Sequence, residues 1–304
     1  MTNQVPVLKT YEGHRDYVFA VAWSPDGVWA ASGGRDRTVH VWQAETLDTI
    51  QIFSAHDAYV LSVSWSPDSR YLASGCTNGV VYVWEAATGR IVTTYHQHVR
   101  FVRSLSWSPD GVYIASGGDY GDSSVRVWEA FTGKTLIVRN DQYRIFAACW
   151  SPAGTAIASG SFDGKLHVWS PFTTPQSSYI AYEEQGSPLY AVDWSPDTAL
   201  LASAGEEGVV RLYATSSQQI VCTYCGHHAA IKALAWAAQR GYIASGGDDK
   251  TVQIWSPSSG TQITSLTAHQ SWVRTIAWSP DSHIVASASD KTVQLWYWDE
   301  KLVL

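Results

Sequence analysis

The chain has 304 residues, 45% hydrophobic and 15% charged. No apolar run reaches the ~18 residues that a membrane helix needs, so the composition argues against a disordered or membrane-spanning chain, and a cytoplasmic location is expected. Twenty basic against 27 acidic residues give a net charge of -7, which opposes non-specific binding to nucleic acid or anionic membranes unless a basic patch is concentrated locally.

In chain order, Val5 to Glu12 (VPVLKTYE) reads as a lone strand of the outer, more polar type. The stretch EGHRDYVFAVAWSPDG, residues 12–27, then runs as a strand apolar on both faces, ends at Trp23 and turns at Asp26-Gly27. Behind it come VWAASGG, TVHVW and the more polar TIQIFS, which makes four short strands. The pattern recurs. Trp23, Trp65, Trp107, Trp150, Trp194, Trp236 and Trp278 stand 42, 42, 43, 44, 42 and 42 residues apart. Ser-Pro follows every one except Trp236, and the last unit stops after its third strand, at Trp296 to Trp298.

A four-stranded sheet of this size cannot bury both faces alone, so the units must stack, and a closed ring leaves no exposed end. The spacing therefore predicts an all-β, seven-bladed propeller of antiparallel blades over residues 1–304, with the N-terminal strand completing the last blade. In four units a His precedes the turn Trp by nine residues and is followed by Ser, Asp and a second Trp. These are His14, Ser32, Asp36 and Trp42 in the first unit, and His98, Ser116, Asp122 and Trp128 in the third. The sixth has His227, Ser245, Asp249 and Trp255, and the seventh has His269, Ser287, Asp290 and Trp296.

With this period and these residues the chain resembles the WD-repeat β-propeller family. The resemblance implies that each His, Ser, Asp and Trp set is a hydrogen-bonded chain inside a blade. The second unit has His56, Ser74 and Trp84 but Asn78 for the acid, and the fourth has Ser159, Asp163 and Trp169 but Asp141 for the His. The fifth, with Gln185, Ser203, Glu207 and Tyr213, departs most and is expected to be the least secured blade. The name-giving Trp-Asp pair is absent: Gln43, Glu85, Glu129, Ser170, Ser256 or Tyr297 follows the third-strand Trp.

His14, Asp16 and Ser24 are the residue types of a hydrolytic triad, but a framework role accounts for every copy of the repeat and a triad for one at most. Cys222 and Cys225 beside His227 and His228 have zinc-like spacing, yet they sit on an apparent strand with no second pair, so neither a metal nor a cofactor is expected. Four cysteines are too few and too unevenly placed for a disulfide framework.

What packing does not explain is the variation between units. In the family, positions three and five after the His surround the channel entrance on a face that holds partner peptides. Here the first set is Tyr17, Tyr59, Phe101, Arg144, Pro188, Ala230 and Trp272, and the second is Phe19, Leu61, Arg103, Phe146, Tyr190, Lys232 and Arg274. An aromatic and cationic rim suits a protein or peptide partner, and Arg103, Arg144, Lys232 and Arg274 could together select an acidic or phosphorylated segment. The competing readings are rings that merely plug the channel, with cations paired to Glu206 and Asp248, a hydrolase or metal site in the channel, and single-stranded nucleic acid stacked on the aromatics. The expectation is a monomeric, non-enzymatic scaffold.

Overall fold

The computed structural model describes residues 7–140, 143–172, 180–183 and 186–298. These form seven separate four-stranded antiparallel sheets. In the first blade the strands are β2 (Val18–Trp23), β3 (Trp29–Gly34), β4 (Val39–Gln43) and β5 (Thr49–Phe53). The innermost strands of the next five blades are β6 (Val60–Trp65), β10 (Val102–Trp107), β14 (Ile145–Trp150), β18 (Leu189–Trp194) and β22 (Ile231–Trp236). The seventh blade is β26 (Thr275–Trp278), β27 (Ile284–Ser289) and β28 (Thr292–Tyr297), completed by β1 (Val7–Tyr11). Each innermost strand neighbours those of the blades on both sides, and β2 meets β26, so the ring closes as the repeat predicted.

The turn tryptophans lace the ring. Six of them donate their indole N–H to a backbone carbonyl on the innermost strand of the preceding blade, at 3.1–3.4 Å, from Trp23 to Ala277 through Trp278 to Ala235. A buried indole needs an acceptor, and the strand edge of a neighbouring sheet supplies one. Trp150 is the exception among the described residues. Its indole N–H has no acceptor, and only its backbone N–H reaches across, to Ser106 Oγ at 3.1 Å.

A second lacing runs outside the first at four joints, where the outer strand of one blade ends in an aromatic residue that lies on the third-strand Trp of the next. Tyr11 covers Trp42, Phe53 covers Trp84, Tyr95 covers Trp128 and Tyr224 covers Trp255, with centroids 4.3–4.7 Å apart and planes within 11°. All four of these tryptophans are fully buried. At the fourth blade a guanidinium takes the ring's place, with Arg139 5.7 Å from the centroid of Trp169.

Tyr11 does more than stack. Its strand pairs with β28, at Val293, yet its hydroxyl meets His40 Nδ1 and Thr49 Oγ1 of the first blade, each at 2.7 Å. The glycine before His14 follows from this contact, since a Cβ on Gly13 would collide with the Tyr11 hydroxyl and ring. Gly226 is placed the same way under Tyr224.

Candidate functional site: the channel mouth

The His, Ser, Asp and Trp sets fall inside the blades. His14 bonds Asp36 at 2.9 Å and Ser32 at 2.8 Å, and the Trp42 N–H donates to Ser32 Oγ at 3.2 Å. His98 with Asp122, Ser116 and Trp128, and His227 with Asp249, Ser245 and Trp255, repeat the chain at 2.7–3.2 Å. Burial alone would raise the Asp249 carboxyl, but its hydrogen bond to His227 and the backbone and side-chain donors of Thr251 bring it down to about 2. Burial lowers the imidazoles of His56 and His269 to about 4, so both are neutral at pH 7.

The seventh blade departs from the spacing. His269 and Trp296 both meet Ser287 Oγ, at 2.7 Å, but among the described residues nothing joins His269 to Asp290. Ser289 pairs with Thr292, so Asp290 sits in a two-residue hairpin at φ 50°. That turn is one residue shorter than in the first and sixth blades, which draws the carboxylate away from the imidazole. In the second blade Asn78 turns to Asp57 at 2.5 Å, and His56 Nδ1 is left without a partner.

The fourth blade, like the fifth, departs from the repeated hydrogen-bond chain. Ser159 Oγ and the indole N–H groups of Trp150 and Trp169 are all buried without partners among the described residues, whereas Glu207 of the fifth blade is paired with Arg211 at 2.6 Å. Asp141 and Gln185, which stand where those blades would carry His, lie outside the described residues.

The groups whose residue types suggest catalytic or metal chemistry are engaged in hydrogen bonds of the framework. Ser24 Oγ donates to Asp26 at 2.5 Å within its turn, while both nitrogens of His14 are engaged elsewhere. Among the described residues, the metal-type donors that converge are His14, Asp36 and His40, within 4.8 Å. Hydrogen bonds inside the network already occupy them: His14 to Asp36 and Ser32, and His40 Nδ1 to Tyr11. His227 is likewise committed to Asp249 and Ser245, away from Cys222 and Cys225.

The channel mouth is where the variable residues gather. An open cavity of about 520 Å³ is lined by Phe19, Leu61, Arg103, Phe146, Tyr190, Lys232 and Arg274, the complete second set, together with Trp272 and Asp248. The other first-set residues, Tyr17, Tyr59, Phe101, Arg144, Pro188 and Ala230, sit outside this lining on the surrounding loops. Phe101 holds a left-handed backbone at φ 37°, a strained conformation for an aromatic residue.

Rings and cations alternate round the mouth. The guanidinium of Arg274 lies 5.3–5.5 Å from the rings of Tyr17, Phe19 and Trp272, and Arg35 lies 5.9 Å from Tyr17 and 5.4 Å from Tyr59. Across the channel, Arg144 faces Tyr120 at 4.0 Å and Lys232 faces Tyr190 at 3.6 Å. Burial and a hydrogen bond to Glu206 at 2.7 Å push the Tyr190 hydroxyl pKa up.

The four cations do not form one positive site. Arg103 donates to Asp119 at 2.9 Å, Arg144 approaches the same carboxylate at 3.7 Å, and Lys232 pairs with Asp248 at 3.4 Å. Asp119 and Arg35 are the residues that sequence reasoning missed. Both stand three after the blade serine, so counting from Ser as well as from His would have found them.

With this geometry in view, comparison with known proteins is informative. The pattern described as WD domain, G-beta repeat matches residues 6–43, 47–85, 89–129, 134–170, 175–214, 218–256 and 260–297. The chain belongs to the WD40 family. Each family repeat begins on the outer strand of one blade and ends on the third strand of the next, which is why β1 lies in the seventh blade of this WD40 ring. Relatives include the periodic tryptophan protein 2 homolog of Dictyostelium discoideum, 34% identical over 29% of this chain and 10% of that protein. Histone-binding protein MSI1 of Saccharomyces cerevisiae is 34% identical over 23% of this chain and 17% of its own length. A p21-activated protein kinase-interacting protein 1-like of Xenopus laevis is 29% identical over 36% and 29% respectively. The matched segments thus span less than a third of each relative.

Proposed function

We propose that the chain is a non-enzymatic protein-interaction scaffold, whose seven blades act as one domain and present the channel mouth to a peptide segment of a protein partner. The carrying observation is the convergence of one variable residue from every blade on a single open cavity of aromatic and cationic character. Aromatic rings offer large contact area at little entropic cost, and guanidinium groups add directional hydrogen bonds. The names of the histone-binding and kinase-interacting relatives point the same way. Against a hydrolase, no His lines the cavity, and its acidic lining residue, Asp248, is held by Lys232.

The test is a pull-down from the native host with the wild type and a Phe101→Ala/Arg274→Ala variant. Loss of one specific partner from the variant is the expected result. An unchanged set of partners moves binding to another face of the ring.

A further inference from the structure

The mouth divides electrostatically into two arcs. Over blades three to six, every rim cation faces a carboxylate: Arg103 and Arg144 face Asp119, which is 3% exposed, and Lys232 faces Asp248. Over blades seven, one and two the order is Trp272, Arg274, Tyr17, Arg35 and Tyr59, rings alternating with guanidinium groups. In this second arc Arg274 has no acidic partner among the described residues, and its buried Nε has no hydrogen-bond acceptor. Arg35 has a loose acidic partner, Asp16 at 3.7 Å with both side chains solvated, besides the rings of Tyr17 and Tyr59. Trp272 and Tyr59, at the two ends of the arc, are 48% and 37% exposed.

We infer, on the channel-mouth reading above, that this arc is a carboxylate-binding subsite, which seats an acidic side chain of a partner peptide on Arg274 and Arg35 between Trp272 and Tyr59. The chemistry is complementary in three respects. A guanidinium packed among rings is oriented before binding and already partly desolvated, so less is lost when a carboxylate docks. The Arg274 guanidinium, which no acid among the described residues neutralises, would gain a counter-charge. The arc across the channel cannot compete, because a carboxylate arriving at Arg103 or Lys232 must displace Asp119 or Asp248. Alternating rings and cations would also accept single-stranded nucleic acid, but the acidic net charge and the rim carboxylates Asp119, Glu206 and Asp248 oppose a phosphate backbone.

The experiment is calorimetric titration of the full chain with a Glu-rich peptide, its Gln-substituted twin and oligothymidylate. It is run on the wild type and on Arg274→Gln, Arg35→Gln, Arg103→Gln and Lys232→Gln, with thermal melts verifying that each variant is folded. The expected result is binding of the Glu peptide alone, weakened about tenfold by Arg274→Gln, less by Arg35→Gln, and less than about twofold by the two substitutions in the compensated arc. Raised salt should weaken it further. Equal losses from Arg103→Gln and Arg274→Gln overturn the location. No preference for the Glu peptide, or tighter binding of oligothymidylate, overturns the chemistry. The pull-down separates the two levels: a partner lost with Trp272→Ala but kept with Arg274→Gln leaves the scaffold reading standing and removes the carboxylate subsite. A partner indifferent to every mouth variant removes the channel-mouth reading and the subsite with it.

Discussion

Replacing Tyr11 tests how the ring is closed. Tyr11 and Phe53 are equivalent residues, each at the end of an outer strand, each 4% exposed, and each stacked on the third-strand Trp of the next blade. They differ in the hydroxyl. Burial lowers His40 to about 4, so its ring is neutral at pH 7, and Nδ1 can accept a proton donated by Tyr11 while the same oxygen accepts from Thr49. Tyr11→Phe leaves the buried nitrogen without its donor and should cost about 1–3 kcal/mol. Tyr11→Ala removes the stacked ring as well, adding the cost of a large buried cavity, about 3–5 kcal/mol. The difference between the two should equal the effect of Phe53→Ala, which measures the ring alone. Urea unfolding followed by tryptophan fluorescence gives all three values under conditions where refolding is reversible. If Tyr11→Phe shifts stability by less than about 0.5 kcal/mol, the hydroxyl is not what joins the last blade to the first.

The misplaced acid of the seventh blade gives a paired comparison: Asp249→Ala should destabilise by about 1–3 kcal/mol, whereas Asp290→Ala should fall within about 0.5 kcal/mol of the wild type by the same unfolding measurement. In the fourth blade the Trp169 N–H has no partner to lose, so Trp169→Phe should be milder than Trp255→Phe, which deprives Ser245 of a donor. Stability should fall as pH drops from about 6.5 to about 4, because His40, His56 and His269 take up protons more readily unfolded than folded. Asp193 runs the other way. Burial raises it to about 7 despite backbone donors at Trp194 and Trp236, so its contribution is fully present at low pH and is lost as pH rises through 7. Asp193→Asn should therefore steepen the acid loss in a pH series of melts, and an unchanged slope would contradict the assignment.

The fold was legible because its determinants repeat. One Trp at a fixed interval sets the blade, and the outer-type strand ahead of Glu12, which pairs with β28, sets the closure. Asp290 was misread because its residue type was right and its register was not: Trp296 follows Ser287 by nine residues, where Trp42, Trp84 and Trp255 follow their serines by ten. The aromatic lacing was visible too, as Tyr11, Phe53, Tyr95, Tyr182 and Tyr224 three places before the His positions, but such rings look like ordinary core until the phase between repeat and blade is known. The mouth was half legible. Offsets found its residues, but which cations are neutralised depends on where loops from adjacent blades meet, and Asp119 serves two blades at once.

The joint between blades three and four combines two irregularities. Trp150 sends no indole bond across it, and Arg139 stands where four other joints have a stacked ring. In a circle of seven this joint lies diametrically opposite the blade in which β1 meets β28. Asp119 spans it at the channel mouth, holding Arg103 of blade three at 2.9 Å and approaching Arg144 of blade four at 3.7 Å. That carboxylate is then a clasp between two blades as well as a counter-charge, placed where the indole bond is missing.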